Sequence, residues 1–160
     1  MAGLVPSRPW RLWEYQTFNL ASTSSAKQGS LVMLDGARNV AEYVSTSSHF
    51  LGIQMHDSAN SLPTGKCVVA VPVAPGARFW ASLHTGESAS AYSVGQARGI
   101  CRNANGPDGT PRSFLTTLHT SVFSQVATVA GPIDSVNSRV ECTFVWNEAV
   151  LGSNSSVTII

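Results

Sequence analysis

From Gly65 to Gly86 the chain reads GKCVVAVPVAPGARFWASLHTG, and the placement of its apolar residues leaves little freedom of fold. Successive side chains of a strand point to opposite sides, so Cys67, Val69, Val71 and Val73 share one face while Val68, Ala70 and Pro72 share the other. Both faces are apolar. A strand of this kind is expected to be buried on both sides, inside a barrel, a sandwich or an assembly. The segment Ala74-Pro75-Gly76-Ala77 then offers a preset φ at Pro and a permissive backbone at Gly, and joins a second strand, Arg78 to Leu83, as a hairpin or a sharp corner. Almost nothing in this stretch is capable of chemistry, so it reads as scaffold.

The rest of the chain is just as poor in charge. Only 12% of the 160 residues are charged, about half the roughly 25% of an average globular protein. Hydrophobic residues make up 43%, enough for one domain with a sizeable core. Low charge implies either surface hidden by neighbours or a Ser/Thr-rich β surface that does the solvating. Ten basic and nine acidic residues, with no run of either sign, leave no electrostatic footprint for nucleic acid. The basic set is mostly Arg, which is favoured at protein interfaces where Lys is depleted; a coding bias toward Arg is the bland alternative. No signal peptide is visible and no window approaches a membrane span, so no membrane partner is expected.

Residues 1–28 combine two of the prolines upstream of Trp10 with Trp10, Trp13, Tyr15 and Phe18, then run into small residues from Ala21 to Ala26. That aromatic density without a clean period implies an extended arm packing on another surface; a first edge strand closing the core is the alternative. From Gly29 the pattern is β: Leu31 to Leu34, an Asp35-Gly36 turn, Val40 to Val44, then Phe50 to Met55. Glu87 to Ala97 is compatible with one short helix, against which Gly95 and Gly99 argue for a loop or strand entry. Asn103 to Pro111 is rich in breakers and is expected to be an outward-facing loop. Strands are expected over Ser113 to Val129, with a split near His119, and over Ser138 to Trp146, separated by a Gly131-Pro132 turn. Phe79, Trp80, Phe144 and Trp146 are the expected core aromatics. The tail from Ala149 ends in Val157-Thr158-Ile159-Ile160, a β-prone end suited to pairing with a sheet edge.

Candidate chemistry is sparse. Cys67, Cys101 and Cys142 are odd in number and far apart, without a disulfide framework or a CxxC pair, and read as buried thiols. Among His49, His56, His84 and His119 only His56 has an adjacent acid, Asp57, and neighbours on a strand point to opposite faces rather than converging on an ion. No GxSxG elbow, HExxH, phosphate-binding glycine loop or paired-carboxylate arrangement stands out. The expectation is no enzyme, no metal and no cofactor. Asn154-Ser155-Ser156 formally matches a glycosylation acceptor and is read as chance. Trp10 and Trp13 with Arg11 and Glu14 partly match a sugar-stacking patch, which keeps a carbohydrate-binding β-sandwich open.

The valine-rich strand Gly65 to Val73 carries a resemblance, together with Gly29-Ser30-Leu31-Val32, Leu51-Gly52-Ile53, Phe79-Trp80-Ala81, His84-Thr85-Gly86 and Val94-Gly95-Gln96-Ala97. Spanning about Gly29 to Ile100, these segments resemble the small β-rich decoration, or cement, proteins of tailed bacteriophage heads. The resemblance implies a mainly β fold, with a small β-barrel or β-tulip-like body, or a sandwich, over 29–148. The extended N-terminal arm read from residues 1–28 and the β-prone C-terminal tail of 149–160 exceed a minimal body of that family. It further implies a homotrimer on the outer surface of a virion, bridging neighbouring major capsid protein subunits, with no catalytic residues. Trp10, Arg11, Trp13, Tyr15 and Phe18 are the residues expected to meet the capsid or a sister subunit. A tail- or fibre-associated virion protein is the other alternative.

Overall fold

Eleven strands, with no α-helix among the described residues, make up the computed structural model, which describes residues 3–22, 24, 26–43, 49–58, 65–84, 86–105, 111–117 and 124–146. The strands are β1 (Leu4–Pro6), β2 (Trp13–Asn19), β3 (Leu31–Leu34), β4 (Val40–Glu42), β5 (Gly52–Gln54), β6 (Lys66–Pro72), β7 (Arg78–Ser82), β8 (Ala97–Asn105), β9 (Pro111–Thr116), β10 (Ser124–Asp134) and β11 (Arg139–Phe144). They form a six-stranded sheet in the order β1-β7-β11-β10-β8-β9 and a five-stranded sheet in the order β2-β6-β5-β3-β4. Every named pairing is antiparallel. The expected mainly β body is therefore present, as two sheets that each curl toward closure.

The two-faced strand explains how the sheets share a core. Ala70 of β6 opposes Ile53 and faces the main cluster, with Phe50, Phe79, Leu115, Val140 and Phe144. On the other face, Cys67, Val69 and Val71 join Ala26, Val32, Val40 and Leu51 in a second cluster, with Phe18, Leu20 and Leu34 packed against it. β6 is thus the wall between two apolar interiors, and this is why neither of its faces is polar. The close approach of β5 to β6 is equally specific. A Cβ on Gly52 would lie 2.1 Å from the Ala70 carbonyl oxygen, so no side chain fits there.

Ala74-Pro75-Gly76-Ala77 makes a corner rather than a hairpin, because β6 and β7 lie in different sheets. The antiparallel partner turns at the same place. β1 pairs with β7, β2 pairs with β6, and one two-stranded ribbon therefore bends from the first sheet into the second. The bend is pinned by backbone bonds from Ser7 N to Arg78 O (2.8 Å) and from Val73 N to Leu12 O (3.0 Å). At its centre the Trp13 indole N–H donates to Ser7 O (3.0 Å) and to Arg78 O (3.1 Å).

Several local expectations are corrected. The segment over 1–28 is built into the body wherever it is described, giving an edge strand to each sheet, which is the alternative the sequence left open. Glu87 to Ala97 contains only a 3-10 turn, Ala89–Ala91, before β8 begins at Ala97. Asn103 to Pro111 is not loop throughout: β8 runs to Asn105 and β9 begins at Pro111, and 106–110 lie outside the described residues. Gly131-Pro132 is no turn. It sits inside the eleven-residue β10 where the register with β11 shifts between Val129 and Ile133, and Pro132 is exposed there. The bulge places Gly131 beneath Arg78 and Glu141, where a Cβ would be 3.0 Å from the guanidinium. Trp80 is half-buried on the outer face of β7, under the Arg139 guanidinium at 4.2 Å from the ring centroid, and is not a core residue. Phe79 and Phe144 are in the core, with Trp146 partly buried against it. The tail 149–160 lies outside the described residues.

Candidate partner-binding edge

An antiparallel sheet of limited width has two edges whose outward N–H and C=O groups need cover. The two sheets here have four edge strands, β1, β9, β2 and β4. β1 is covered where Leu4 N donates to Gly29 O (2.9 Å); Gly3 lies so close there that a Cβ would be 2.9 Å from the same oxygen. β9 is covered by the parallel bridge between Leu83 and Leu115, with His84 N donating to Leu115 O (2.9 Å). At β4, Leu20 bridges Val40 and Ala21 N donates to Val40 O (2.9 Å), which brings the two ends of the five-stranded sheet together. Each of these edges is thus met at one point, and β2 is met at its two ends, at Trp13 and at Leu20, which leaves Tyr15 to Thr17 with no backbone partner on the outer side among the described residues.

The parity of β2 decides which groups point outward. In the β2–β6 register Trp13 opposes Pro72, which has no N–H and so must be a non-bonded pair. The flanking pairs, Leu12 with Val73 and Leu20 with Gly65, are hydrogen-bonded at 3.0 Å each. Glu14, Gln16 and Phe18 therefore bond inward to β6, while Tyr15, Thr17 and Asn19 turn outward, Asn19 lying next to the Leu20–Val40 bridge. Trp13 N is already taken by Trp10 O. The window is Tyr15 to Thr17.

The five residues expected to meet a partner divide across this structure. Trp10 is 55% exposed in the short 3-10 turn Trp10–Leu12, Arg11 is exposed beside it, and Tyr15 is 52% exposed on β2. Trp13 is a core residue at the corner, its ring edge-on to Phe144 with centroids 6.2 Å apart. Phe18 is half-buried against the second cluster. An alternation of buried and exposed residues is only visible once the strand is fixed, and this segment's aromatics fall on both sides of it.

Among the described residues, His56 and the three thiols are engaged in structure. His56 Nε2 accepts the Val68 N–H (3.1 Å), and its Nδ1 lies 3.1 Å from the Asp57 carbonyl oxygen, so the ring closes the ladder where β5 ends. Burial pushes the thiols of Cys67 and Cys101 up to about 11 and that of Cys142 up to about 12, which suppresses the reactive thiolate. No group of three or more potential metal ligands occurs among the described residues, and no helix there is long and apolar enough to cross a membrane.

Glu87 is the polar hub that the sequence did not reveal. Its Oε1 accepts from Thr117 N (2.9 Å), Thr117 Oγ1 (2.7 Å) and Thr116 Oγ1 (3.2 Å), and its Oε2 from the Tyr92 hydroxyl (3.0 Å). Burial alone would raise its pKa, but the Thr117 backbone and hydroxyl bonds, with those of Tyr92 and Thr116, hold it below the ordinary carboxylate value. It ties the turn before β8 to the end of β9. Nothing in a lone Glu-Ser pair signals a role that depends on residues about thirty positions away.

No family model matches the chain, and no characterised protein sequence matches it.

Proposed function

We propose that this chain is a non-enzymatic structural protein of a virus particle, placed on the outer capsid surface as a homotrimer that bridges neighbouring major capsid subunits. The observation that carries the reading is the exposure of Trp10, Arg11 and Tyr15 within one short stretch of the chain, while His56, the three thiols and Glu87 serve the scaffold. Exposed Trp, Tyr and Arg are the side chains that dominate protein interfaces, because they bury much surface and hydrogen-bond from one end. The 12% charge content fits a surface partly covered by neighbours. A clamp of this kind works by area: at about 25 cal/mol per Å2 of apolar surface, a modest interface per copy resists separation of capsomers, and copies add around a shell.

The test is density-gradient fractionation of particles from the native source, measuring this chain against the major particle protein in intact and tail-free particles. Hundreds of copies retained on tail-free heads are expected. A few copies lost with tails would instead identify a tail- or fibre-associated protein. The pairing of exposed Trp10 and Tyr15 with Arg11 and Glu14 also favours, as the second reading, a sugar-stacking surface. Glycan binding by the isolated chain, with none to capsids, would establish that reading.

A further inference from the structure

We propose that the free edge of β2 is a self-pairing seam, on which a second copy of this chain adds its own β2 antiparallel about a two-fold axis at Gln16. This goes beyond the particle role and does not depend on it: a two-fold seam is separate from the contacts that would close a trimer, and would join one trimer to another.

Three features of the edge lead to a strand partner. Each of the other edges meets backbone from elsewhere in the chain at one point, whereas Tyr15 to Thr17, at the middle of this one, have no such partner among the described residues. β2 is seven residues long and lightly guarded against pairing: its only charge is Glu14, and it has no Lys, no Pro and no bulge against β6. The side chains along the window do not obstruct an approaching strand, since Glu14, Tyr15 and Thr17 are exposed and Gln16 is half-buried.

The occupant follows from the symmetry of the window. It is bounded on one side by Trp13, whose N–H is bonded to Trp10 O, and on the other by the closure at Leu20 and Val40. Between these limits the outward residues are Tyr15, Thr17 and Asn19, of which Tyr15 and Thr17 are equidistant from Gln16, as are Trp13 and Asn19. An antiparallel copy centred on Gln16 sets Tyr15 against Thr17 of the second copy, and Thr17 against its Tyr15, as hydrogen-bonded pairs. All four outward groups of each window are then satisfied. Centring on Tyr15 instead would set Thr17 against Trp13, whose N–H is not available, and would leave bonds unmade. In the Gln16 register an aromatic lies beside a β-branched residue and Glu14 lies beside Phe18, so no like charges meet across the seam.

The register gives a sharp test. Gln16 and its symmetry mate form a non-hydrogen-bonded pair with Cα atoms about 4.5 Å apart, within the range that a disulfide bridges. Gln16→Cys in the full-length chain is therefore expected to give a covalent dimer under mild oxidation, read on a non-reducing gel. The three native cysteines are buried and do not compete. Asn137→Cys, on an exposed turn, reports random collision, and the Gln16→Cys chain should cross-link about tenfold faster or more because pairing raises the effective concentration. Adding Thr17→Pro removes an outward N–H without touching a bond to β6 and should return the rate to the Asn137→Cys level, with circular dichroism confirming that the sheet is intact. Cross-linking of Gln16→Cys no faster than Asn137→Cys, or unaffected by Thr17→Pro in a folded chain, overturns the seam.

Discussion

Replacing Trp13 by Phe separates the two roles its position allows, core pin or partner contact. The indole N–H sits between Ser7 O and Arg78 O, at the point where both strands of the ribbon turn from one sheet into the other. Phe keeps most of the ring against Phe144 and removes the donor. Arg78 O still receives Ser7 N, but Ser7 O is stranded in a buried corner. Losing the bond and leaving that acceptor unmet costs roughly 1–3 kcal/mol, and the space left by the smaller ring adds about 1 kcal/mol. The expected loss is about 3 kcal/mol, and at this chain length each kcal/mol lowers Tm by roughly 2–4 °C, so Tm should fall by about 6–12 °C. Urea denaturation should show a lower midpoint with an unchanged slope, which marks a change in stability rather than in the surface exposed. Trp10→Ala, at an exposed site, should stay within about 0.5 kcal/mol of the parent. If Trp13→Phe matched the parent while Trp10→Ala destabilised the chain, the assignment of Trp13 to the corner and Trp10 to the surface would be refuted.

Three further outcomes follow from the packing and the titrating groups. Gly52→Ala should cost several kcal/mol or prevent folding, since its methyl would meet the β6 backbone at Ala70; a parent-like melting curve would contradict the close approach of β5 to β6. Glu87 has a folded pKa below its unfolded value, so the stability it contributes is present above the ordinary carboxylate pKa of about 4.3 and lost as pH falls through the lower folded value. Thermal melts from pH 6 down to about pH 3 should therefore show a smaller acid loss for Glu87→Gln than for the parent chain, and parallel losses would remove Glu87 from the effect. Cys67, Cys101 and Cys142 should be silent toward a thiol reagent at pH 8 in the folded chain and all react in denaturant; fast labelling of native protein would contradict their burial.

Most of the scaffold was legible because strand alternation is a local property. Leu31 to Leu34 is the strand the sequence indicates, and Cys67 to Val73 and Arg78 to Leu83 differ from β6 and β7 by a residue at their ends. The apolar residues on both sides of β6 correctly signalled burial on both faces. Local signals misled where a partner strand overrode them. Gly131-Pro132 has the composition of a turn, yet its neighbour β11, paired on both sides of it, holds it inside β10 as a bulge. The aromatic-rich start lacks a clean period because Trp10 and Leu12 belong to a 3-10 turn and only Trp13 onward is strand. For that reason Trp13 reads like Trp10 in the sequence, although one is core and the other surface.

What the sequence by itself determined is that the chain is mainly β, that its middle is buried on two sides, and that its few reactive groups are not arranged in a recognised catalytic or metal-binding motif. Those properties follow from composition, alternation and spacing along a short stretch. Only the tertiary structure decided that β6 and β7 part into different sheets, that a ribbon bends at Trp13, that Glu87 meets Thr117, and that Tyr15 to Thr17 on the outer side of β2 have no backbone partner among the described residues. Each of these depends on which distant segment lies alongside, and hydrogen-bond parity on an edge strand exists only once its neighbour is in place.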